Sequence, residues 1–269
     1  MRTIKLIVIL LLVITAVVFG ITFISENASG KNEGPVISCA SDTLEVSVLE
    51  DTSALLTGVT AKDAQDGDLT DQILLGGVSK LITDNTAKVT YLVFDSDDNM
   101  ASYTRYIRYT DYSRPVFGVT EPLTYATTEA VLPLERITAT DVIDGDISAS
   151  VRISTLRSTD TSEVYLVTAQ VTNSMGDTAR VELPVIVQDS NTSRPVIHLK
   201  KQLVYLDMGS AFDPGSYLQS VKQGRTSLSV SDVDIDNQVN VMEAGTYYVT
   251  YTYSGDWADA IAILTVVVS

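Results

Sequence analysis

Histidine, tryptophan and cysteine are almost missing from this chain, which has one of each: His198, Trp257 and Cys39. A single cysteine excludes an intramolecular disulfide and gives no support to a zinc site or a dithiol redox centre. A histidine base needs partner side chains, and the sequence around His198 marks none, so we interpret it as a strand-edge or surface residue. No Ser-His-Asp set or phosphate-binding glycine loop is visible.

Basic residues are also scarce, with 18 Lys and Arg against 34 Asp and Glu, for a formal net charge of -16. The negative potential repels nucleic-acid phosphates, so we expect no nucleic-acid partner. Hydrophobic residues make up 45% of the chain, which is enough apolar surface for several small cores.

Residues 6–24 form an uncharged, mainly apolar run that is long enough to cross about 30 Å of hydrocarbon as a helix. Arg2 and Lys5 precede it, so the positive-inside rule places residues 1–5 in the cytoplasm as a short tail. Residues 25–33 are polar and are predicted to form a stalk. We therefore expect a single-pass protein of the plasma membrane with an extracellular C-terminal ectodomain. The alternative is a signal peptide cleaved near Gly20.

Three prolines recur at a spacing of 80 residues: Pro35, Pro115 and Pro195. Each precedes a valine and is predicted to open a first edge strand. The predicted domains are residues 34–112, 113–191 and 192–269. Units of this size are expected to be autonomous domains, because solenoid repeats are usually shorter.

Each predicted domain also contains a β-hairpin near its end, with polar turns at residues 95–99, 173–177 and 254–256. The strand after the second turn alternates in character. We predict one buried face, with Ala179, Val181, Leu183, Val185 and Val187, and one mostly solvated face, with Thr178, Arg180, Glu182, Pro184 and Ile186. The pattern favours antiparallel β-sandwiches.

An acidic motif, Asp-x-x-Asp-Gly-Asp followed by Leu or Ile and then Thr or Ser, occurs at residues 63–70 and 141–148. Its carboxylates could supply oxygen ligands to calcium, the one cofactor that we consider. The candidate metal ligands are Asp63, Asp66, Asp68, Asp141, Asp144 and Asp146. The alternative is turn chemistry, in which the glycine takes a positive φ and the aspartates bond nearby backbone amides. The third domain has Gln223 and its neighbours where the motif is expected.

The segment at residues 95–99 is similar in composition to an EF-hand loop. The sixth position is Met100 and the twelfth is Tyr106, where that loop requires glycine and glutamate. The EF-hand motif is therefore not met.

The acidic motif, together with Gly245, Thr246, Tyr247, Val249 and Tyr251 before a closing hairpin, resembles the bacterial Ig-like domains first named from a pesticidal crystal protein. The resemblance covers residues 34–269. It implies an all-β fold of three tandem immunoglobulin-like β-sandwich domains after one N-terminal transmembrane helix. Such domains occur in tandem on many bacterial surface proteins.

These features predict a non-enzymatic cell-surface protein that presents a rod of Ig-like domains for adhesion, binding or spacing. One alternative is an accessory structural subunit of a pilus, secretion or wall-processing complex, and another is an enzyme that acts on glycans or the cell wall. The partner is an unknown protein or glycan, expected at the third domain because that domain diverges most. Trp257 could stack on a carbohydrate, although packing at a hairpin corner is the favoured interpretation.

Overall fold

The computed structural model describes residues 11–19, 34–159, 163–189, 194–255 and 259–269. Within these residues the chain is mostly β-strand, with an α-helix at residues 11–19. The all-β class is thereby confirmed for the described part of residues 34–269.

The strands fall into three sets of seven, one set in each predicted domain. The first contains β1 (Val36–Cys39), β2 (Thr43–Val46), β3 (Val59–Asp63), β4 (Gly67–Asp68), β5 (Leu74–Val78), β6 (Thr86–Phe94) and β7 (Met100–Tyr109). The second contains β8 (Val116–Val119), β9 (Thr124–Ala126), β10 (Ile137–Asp141), β11 (Gly145–Asp146), β12 (Arg152–Ser158), β13 (Val164–Thr172) and β14 (Thr178–Gln188). The third contains β15 (Val196–Leu199), β16 (Leu203–Leu206), β17 (Leu218–Gln223), β18 (Thr226–Leu228), β19 (Val233–Asn237), β20 (Gly245–Tyr253) and β21 (Ala260–Val268). Short 3-10 helices lie at Thr52–Leu56, Thr70–Gln72, Pro133–Glu135, Ser148–Ser150, Pro214–Tyr217 and Val230–Asp232.

The described strands form six sheets, and each predicted domain contributes the same pair. The three-stranded sheets have the orders β1-β3-β4, β8-β10-β11 and β15-β17-β18. The four-stranded sheets have the orders β2-β7-β6-β5, β9-β14-β13-β12 and β16-β21-β20-β19. Strands β1, β8 and β15 begin directly after the three repeated prolines, as predicted.

The chain divides into two compact units. Unit 1 consists of Met1–Val46, Asp51–Ser79 and Ala87–Arg108, and unit 2 of Ser47–Glu50, Lys80–Thr86 and Tyr109–Ser269. Unit 2 thus holds both the second and the third predicted domain. The count of three domains and their boundaries stay predictions.

The interior of unit 1 contains a buried arginine that the sequence does not signal. Arg105 on β7 is 2% exposed. Its Nε donates to the Tyr91 hydroxyl at 2.8 Å, and its Nη2 donates to the carbonyls of Leu55 and Thr57 at 2.8 Å. The guanidinium is surrounded by neutral oxygens, so this residue stabilises the core. The N–H groups of its Nε and Nη2 all donate to these oxygens and are not available to a ligand.

The alternation predicted for β14 is only partly right. Val181, Leu183 and Val185 are buried as expected, but Pro184 and Ile186 on the opposite face are buried too. Both line a cavity of about 250 Å³ that is also bordered by Ile197 and Ile261 of the third domain. The predicted solvated face is therefore covered by the following domain, which a period-two pattern within one strand cannot show.

The predicted transmembrane helix, residues 6–24, falls mostly outside the described residues. Its described part, residues 11–19, is helical and exposes apolar side chains such as Leu12 and Phe19. No helix among the described residues is long and apolar enough to span a membrane. The cytoplasmic tail and the stalk also lie outside the described residues, so the N-terminal organisation stays a prediction.

Candidate functional site

The first acidic motif folds as the hairpin between β3 and β4. Asp63 ends β3, and its Oδ1 accepts hydrogen bonds from the backbone N–H groups of Gln65 at 2.7 Å and Asp66 at 2.9 Å. Gly67 has a φ of 79°, a conformation that glycine adopts without steric cost. Asp68 Oδ1 accepts from the Thr70 N–H at 3.0 Å, and hydrogen bonds from Thr70 hold the pKa of Asp68 below its usual value.

Asp66 joins this hairpin to the turn that follows β6. Its Oδ2 accepts from the Ser96 backbone N–H at 2.7 Å, and its Oδ1 accepts from the Ser96 hydroxyl at 2.8 Å. The two turns lie 30 residues apart in sequence, and β3 and β6 belong to different sheets. The carboxylate of Asp66 therefore fastens the two sheets of the first domain together at one end.

The second acidic motif repeats these contacts. Asp141 Oδ1 accepts from the N–H groups of Ile143 at 2.9 Å and Asp144 at 3.0 Å. Asp144 accepts from the N–H and the hydroxyl of Ser174, both at 2.6 Å. Asp146 Oδ1 accepts from the Ser148 N–H at 2.9 Å, and hydrogen bonds from Ser148 lower the pKa of Asp146. Each carboxylate of the motif thus has a specific bonding role within the fold.

The third domain keeps the hairpin without the carboxylates. Gln223 pairs with Thr226 across the turn between β17 and β18. Gly224 has a φ of 57°, as Gly67 and Gly145 have φ values of 79° and 70°. The glycine conformation is common to the three turns, whereas the acids are present in two of them.

The turn that resembled an EF-hand loop is closed by Asp95. Its Oδ1 accepts from the N–H groups of Asp97 at 3.0 Å and Asn99 at 2.7 Å, and its Oδ2 accepts from the Asn99 side-chain amide at 2.8 Å. Asp95 is 7% exposed. This carboxylate is part of the candidate site, and the sequence pattern did not single it out because the EF-hand comparison tests a different ligand spacing.

In the second domain an amide occupies the corresponding position. Asn173 Oδ1 accepts from the Asp177 N–H at 2.9 Å, and its Nδ2 lies 3.0 Å from Asp141 Oδ2 and 2.9 Å from the Tyr112 hydroxyl. The Tyr112 hydroxyl donates to Asp177 Oδ2 at 2.8 Å. Burial, with a further contribution from that carboxylate, raises the pKa of Tyr112. Alignment of the two acidic motifs at their spacing of 78 residues would have paired Asn173 with Asp95.

The predicted metal ligands belong to two turns, with three carboxylates in each. In the part of the chain that the structure describes, no group of three or more His, Cys, Asp or Glu side chains is placed to hold a metal ion. Asp63 and Asp141 end strands, Asp66 and Asp144 reach the neighbouring turn, and Asp68 and Asp146 cap the following residues. The calcium site in its predicted form stays a prediction.

The chain has one histidine and one cysteine, and they lie in different strands. His198 lies in β15, an edge strand of its sheet, and lines the cavity of about 250 Å³. Cys39 lies in β1 and is half-buried, not fully buried as a core strand cysteine would be, and burial raises the pKa of its thiol. Trp257 lies outside the described residues.

Comparison with known protein families gives a match to the Bacterial Ig-like domain (group 3) at residues 215–266. The match supports the predicted Ig-like class for the third domain, the domain in which the acidic motif is missing. It does not extend to the first two domains, so the pesticidal-crystal-protein type and the tandem arrangement stay predictions.

Among known proteins, the chain is 34% identical over 134 residues to an uncharacterized 81.3 kDa protein of Acholeplasma phage L2. The match covers 46% of this chain and 18% of that protein. The chain thus spans less than a fifth of the relative that it matches, and what the whole phage protein does is not carried over.

The comparison with solved structures gives matches of low TM-score, among them the following three. The CBM51-2 and INT domains of Clostridium perfringens ZmpB, in complex with GlcNAc, are 17% identical with a TM-score of 0.24, over 54% of this chain and 26% of that one. Protocadherin gammaB7 EC3-6 is 15% identical with a TM-score of 0.22, over 88% and 78%. The lipoprotein BT2262 of Bacteroides thetaiotaomicron is 8% identical with a TM-score of 0.22, over 86% and 98%. We draw no conclusion from TM-scores this low. The comparisons thus support an Ig-like domain at residues 215–266, and the described part of the chain is mostly β-strand.

Proposed function

We propose that this chain is a non-enzymatic surface protein that presents Ig-like domains outside the cell for adhesion, binding or spacing. Residues 6–24 would anchor it in the plasma membrane. The match to a bacterial Ig-like domain supports the domain type. The exposed apolar residues of the helix at residues 11–19 support the anchor.

The observation that carries the proposal is the packed joint between the second and third domains in unit 2. The Phe117 N–H donates to the Tyr205 hydroxyl oxygen at 2.9 Å. Leu203 and Val267 of the third domain pack against the apolar core of the second. A joint that buries apolar side chains resists bending, because bending would expose them to water. A spacer that holds a binding surface in position needs such a joint.

Arg194, in the short segment that links these domains, is fastened to the preceding one. Its guanidinium lies 3.1 Å and 3.2 Å from the two carboxylate oxygens of Glu163 and 2.9 Å from Gln188 Oε1. The Arg194 side chain is 14% exposed. A bidentate pair at this burial constrains the direction in which the chain leaves the second domain.

The acidic residues give a reason to favour a binding protein over a hydrolase. A glycoside hydrolase needs two carboxyl groups that face a substrate cleft. The carboxylates of Asp66 and Asp144 are instead engaged by Ser96 and Ser174, and those of Asp68 and Asp146 by the residues they cap. These are the contacts of structural residues.

We assign partner binding to one end of the third domain. Met208 and Met242 are 58% and 75% exposed, and their loops are joined by a 2.8 Å hydrogen bond from the Gly209 N–H to the Val241 carbonyl. Exposed methionines adapt their shape to apolar partner surfaces, which favours a protein partner over a glycan.

Surface display is tested with the full chain carrying a C-terminal epitope tag in a bacterial host. We expect added protease to remove the tag from intact cells, and the chain to stay in the membrane fraction after high-salt and alkaline washes. A tag that is protected until the cells are lysed would refute display, and release by the washes would refute the anchor.

Binding is tested by adding the purified, fluorescently labelled full chain to intact cells. We expect saturable binding that the pair Met208→Lys and Met242→Lys lowers at least tenfold. Met100→Lys is the matched control, because Met100 is also 58% exposed but lies on β7 of the first domain. Equal losses in both variants would contradict the assignment to the third domain.

A further inference from the structure

The residue that ends the strand before the acidic turn has a counterpart in each domain. In the three-stranded sheets Val36 pairs with Lys62, Val116 with Thr140 and Val196 with Lys222. The next residue is Asp63, Asp141 or Gln223, respectively. The three domains can therefore be compared position by position.

The second domain supplies a donor and a cation around its buried acid. Asp141 is 6% exposed, and its Oδ2 accepts from the Asn173 side-chain amide at 3.0 Å. The neighbouring acid, Asp177, has the Arg114 Nε at 3.6 Å from its Oδ2. The negative charge at this end of the domain is thus answered by an amide and a guanidinium.

The first domain has the amide at a different position of the turn and lacks the guanidinium. Asp95 stands where the second domain has Asn173, and Gly34, two residues before Val36, stands where it has Arg114, two residues before Val116. Gly34 lies beside the same turn, since a Cβ added to it would be 3.0 Å from Asn99 Cβ. Asn99 in turn stands where the second domain has Asp177, so the acid and the amide of this turn have exchanged places and the guanidinium is lost.

The consequence is visible in Asp63, which is 8% exposed. Its Oδ1 makes the same pair of backbone hydrogen bonds as Asp141 Oδ1, and Asp141 Oδ2 contacts Asn173, so by correspondence we expect Asp63 Oδ2 to face Asp95. Asp63 Oδ2 is buried and has no hydrogen-bond partner. The ion pairs among the described residues include neither Asp63 nor Asp95.

The charge of Asp95 is maintained by its own turn. Its two oxygens accept three hydrogen bonds, from the Asp97 N–H, the Asn99 N–H and the Asn99 side-chain amide, and such bonds favour the ionised carboxylate. An ionised Asp95 beside a buried, unpaired carboxylate oxygen is unfavourable unless a positive charge compensates it.

We propose that a hard divalent cation, with calcium as the first choice, binds between the carboxylates of Asp63 and Asp95 in the first domain and at neither corresponding position in the other two. Carboxylate oxygens are preferred calcium ligands, and water and carbonyl oxygens complete its coordination shell. The site predicted from sequence in this domain consists of Asp63, Asp66 and Asp68. The site proposed here keeps Asp63 and has Asp95 in place of the other two.

The test uses the full chain in mild detergent, freed of metal with a chelator, and calcium chloride as the probe. Calorimetric titration is expected to give one calcium per chain, and calcium is expected to raise the midpoint of the unfolding transition of unit 1. Asp95→Asn rebuilds the Asp-Asn pair of the second domain. We expect it to abolish the calcium response and, in chelator, to unfold at a higher temperature than the wild type.

Asp98→Asn is the matched control, since it removes the same charge from an exposed position of the same turn, where a φ of 62° suits asparagine. The calcium response should persist in this variant. Hydrogen exchange of the wild type needs no substitution: calcium should protect residues 95–99 and leave residues 173–177 unchanged.

The proposal is overturned if the wild type binds no calcium, if Asp95→Asn still responds to it, or if the protected residues are 173–177. The proposal is also overturned if a proton shared between the carboxylates of Asp63 and Asp95 takes the place of the cation. In that case calcium has no effect, and the difference in midpoint between the wild type and Asp95→Asn closes as the pH is lowered towards the range in which carboxylates titrate.

Discussion

The Tyr205 hydroxyl oxygen accepts a 2.9 Å hydrogen bond from the Phe117 backbone N–H, although the two residues are 88 positions apart. Phe117 lies in β8 of the second domain and Tyr205 in β16 of the third. A side chain of one domain thus satisfies a backbone donor of its neighbour. This contact makes the joint in unit 2 specific as well as apolar.

Tyr205→Phe is expected to lower the free energy of unfolding of unit 2 by about 1 kcal/mol, because the Phe117 amide loses its acceptor. The measurement is denaturant unfolding monitored by circular dichroism. Tyr247→Phe is the control, since the Tyr247 hydroxyl donates to the exposed Glu243 carbonyl within its own domain. A Tyr205→Phe variant as stable as the wild type would show that water replaces the contact.

Arg194→Met is expected to destabilise unit 2 by about 1.5–3 kcal/mol, the range for hydrogen bonds to charged groups, and to raise its sensitivity to protease. The reason is that Glu163 and Gln188 lose a common, mostly buried donor. Arg225→Met removes an equal charge from an exposed turn and should leave both readouts unchanged. Equal protease sensitivity in the two variants would argue against a fastened joint.

Gly145→Ala and Gly224→Ala should each cost about 1–2 kcal/mol, because both glycines have positive φ values that disfavour a Cβ. No neighbouring atom lies within 4 Å of the added Cβ in either case, so the cost comes from the backbone conformation alone. Thermal unfolding measures it. A much larger cost at Gly145 than at Gly224 would show that the acidic turn depends on the glycine for more than its φ value.

Alkaline pH should destabilise the third domain through Tyr251. Burial raises the pKa of this side chain to about 12, and its hydroxyl donates to the Pro214 carbonyl at 2.7 Å. The protonated form is favoured in the folded state, so this stabilisation is complete below the unfolded pKa near 10 and is lost as pH rises towards 12.

Tyr251→Phe should be less stable than the wild type at pH 8, because the Pro214 carbonyl loses its donor, and should lose less stability between about pH 10 and 12. Urea unfolding across this pH range measures the slope. Tyr253→Phe, two positions along the same strand, is the control. A slope in Tyr251→Phe equal to that of the wild type would assign the alkaline transition to other tyrosines.

The local elements of the fold were accessible from sequence because they depend on neighbouring residues. The prolines mark the starts of β1, β8 and β15, and the Asp-Gly-Asp turns form hairpins in which Gly67 and Gly145 take positive φ values. Turn residues act over a few positions of the chain, so their composition is sufficient to place them.

The hydrogen-bond partners of the carboxylates could not be predicted from the sequence. Asp66 with Ser96, and Asp141 with Asn173, are brought together by strands of different sheets. A motif with three acids is equally consistent with a metal site and with turn bonding, because the spacing does not say where each carboxylate points. The difference between Asp95 and Asn173 becomes meaningful only once Asn173 is seen to contact Asp141, the counterpart of Asp63.

The sequence by itself determined the strand-rich class, the positions of the turns and the acidic character of two of them, because these follow from composition and short-range periodicity. Tertiary structure alone decided that Pro184 and Ile186 are buried by the next domain, that Arg105 enters a core and that Asp63 has an unpartnered oxygen. Burial and hydrogen-bond partners across domains and sheets depend on contacts between distant residues, which no local pattern encodes.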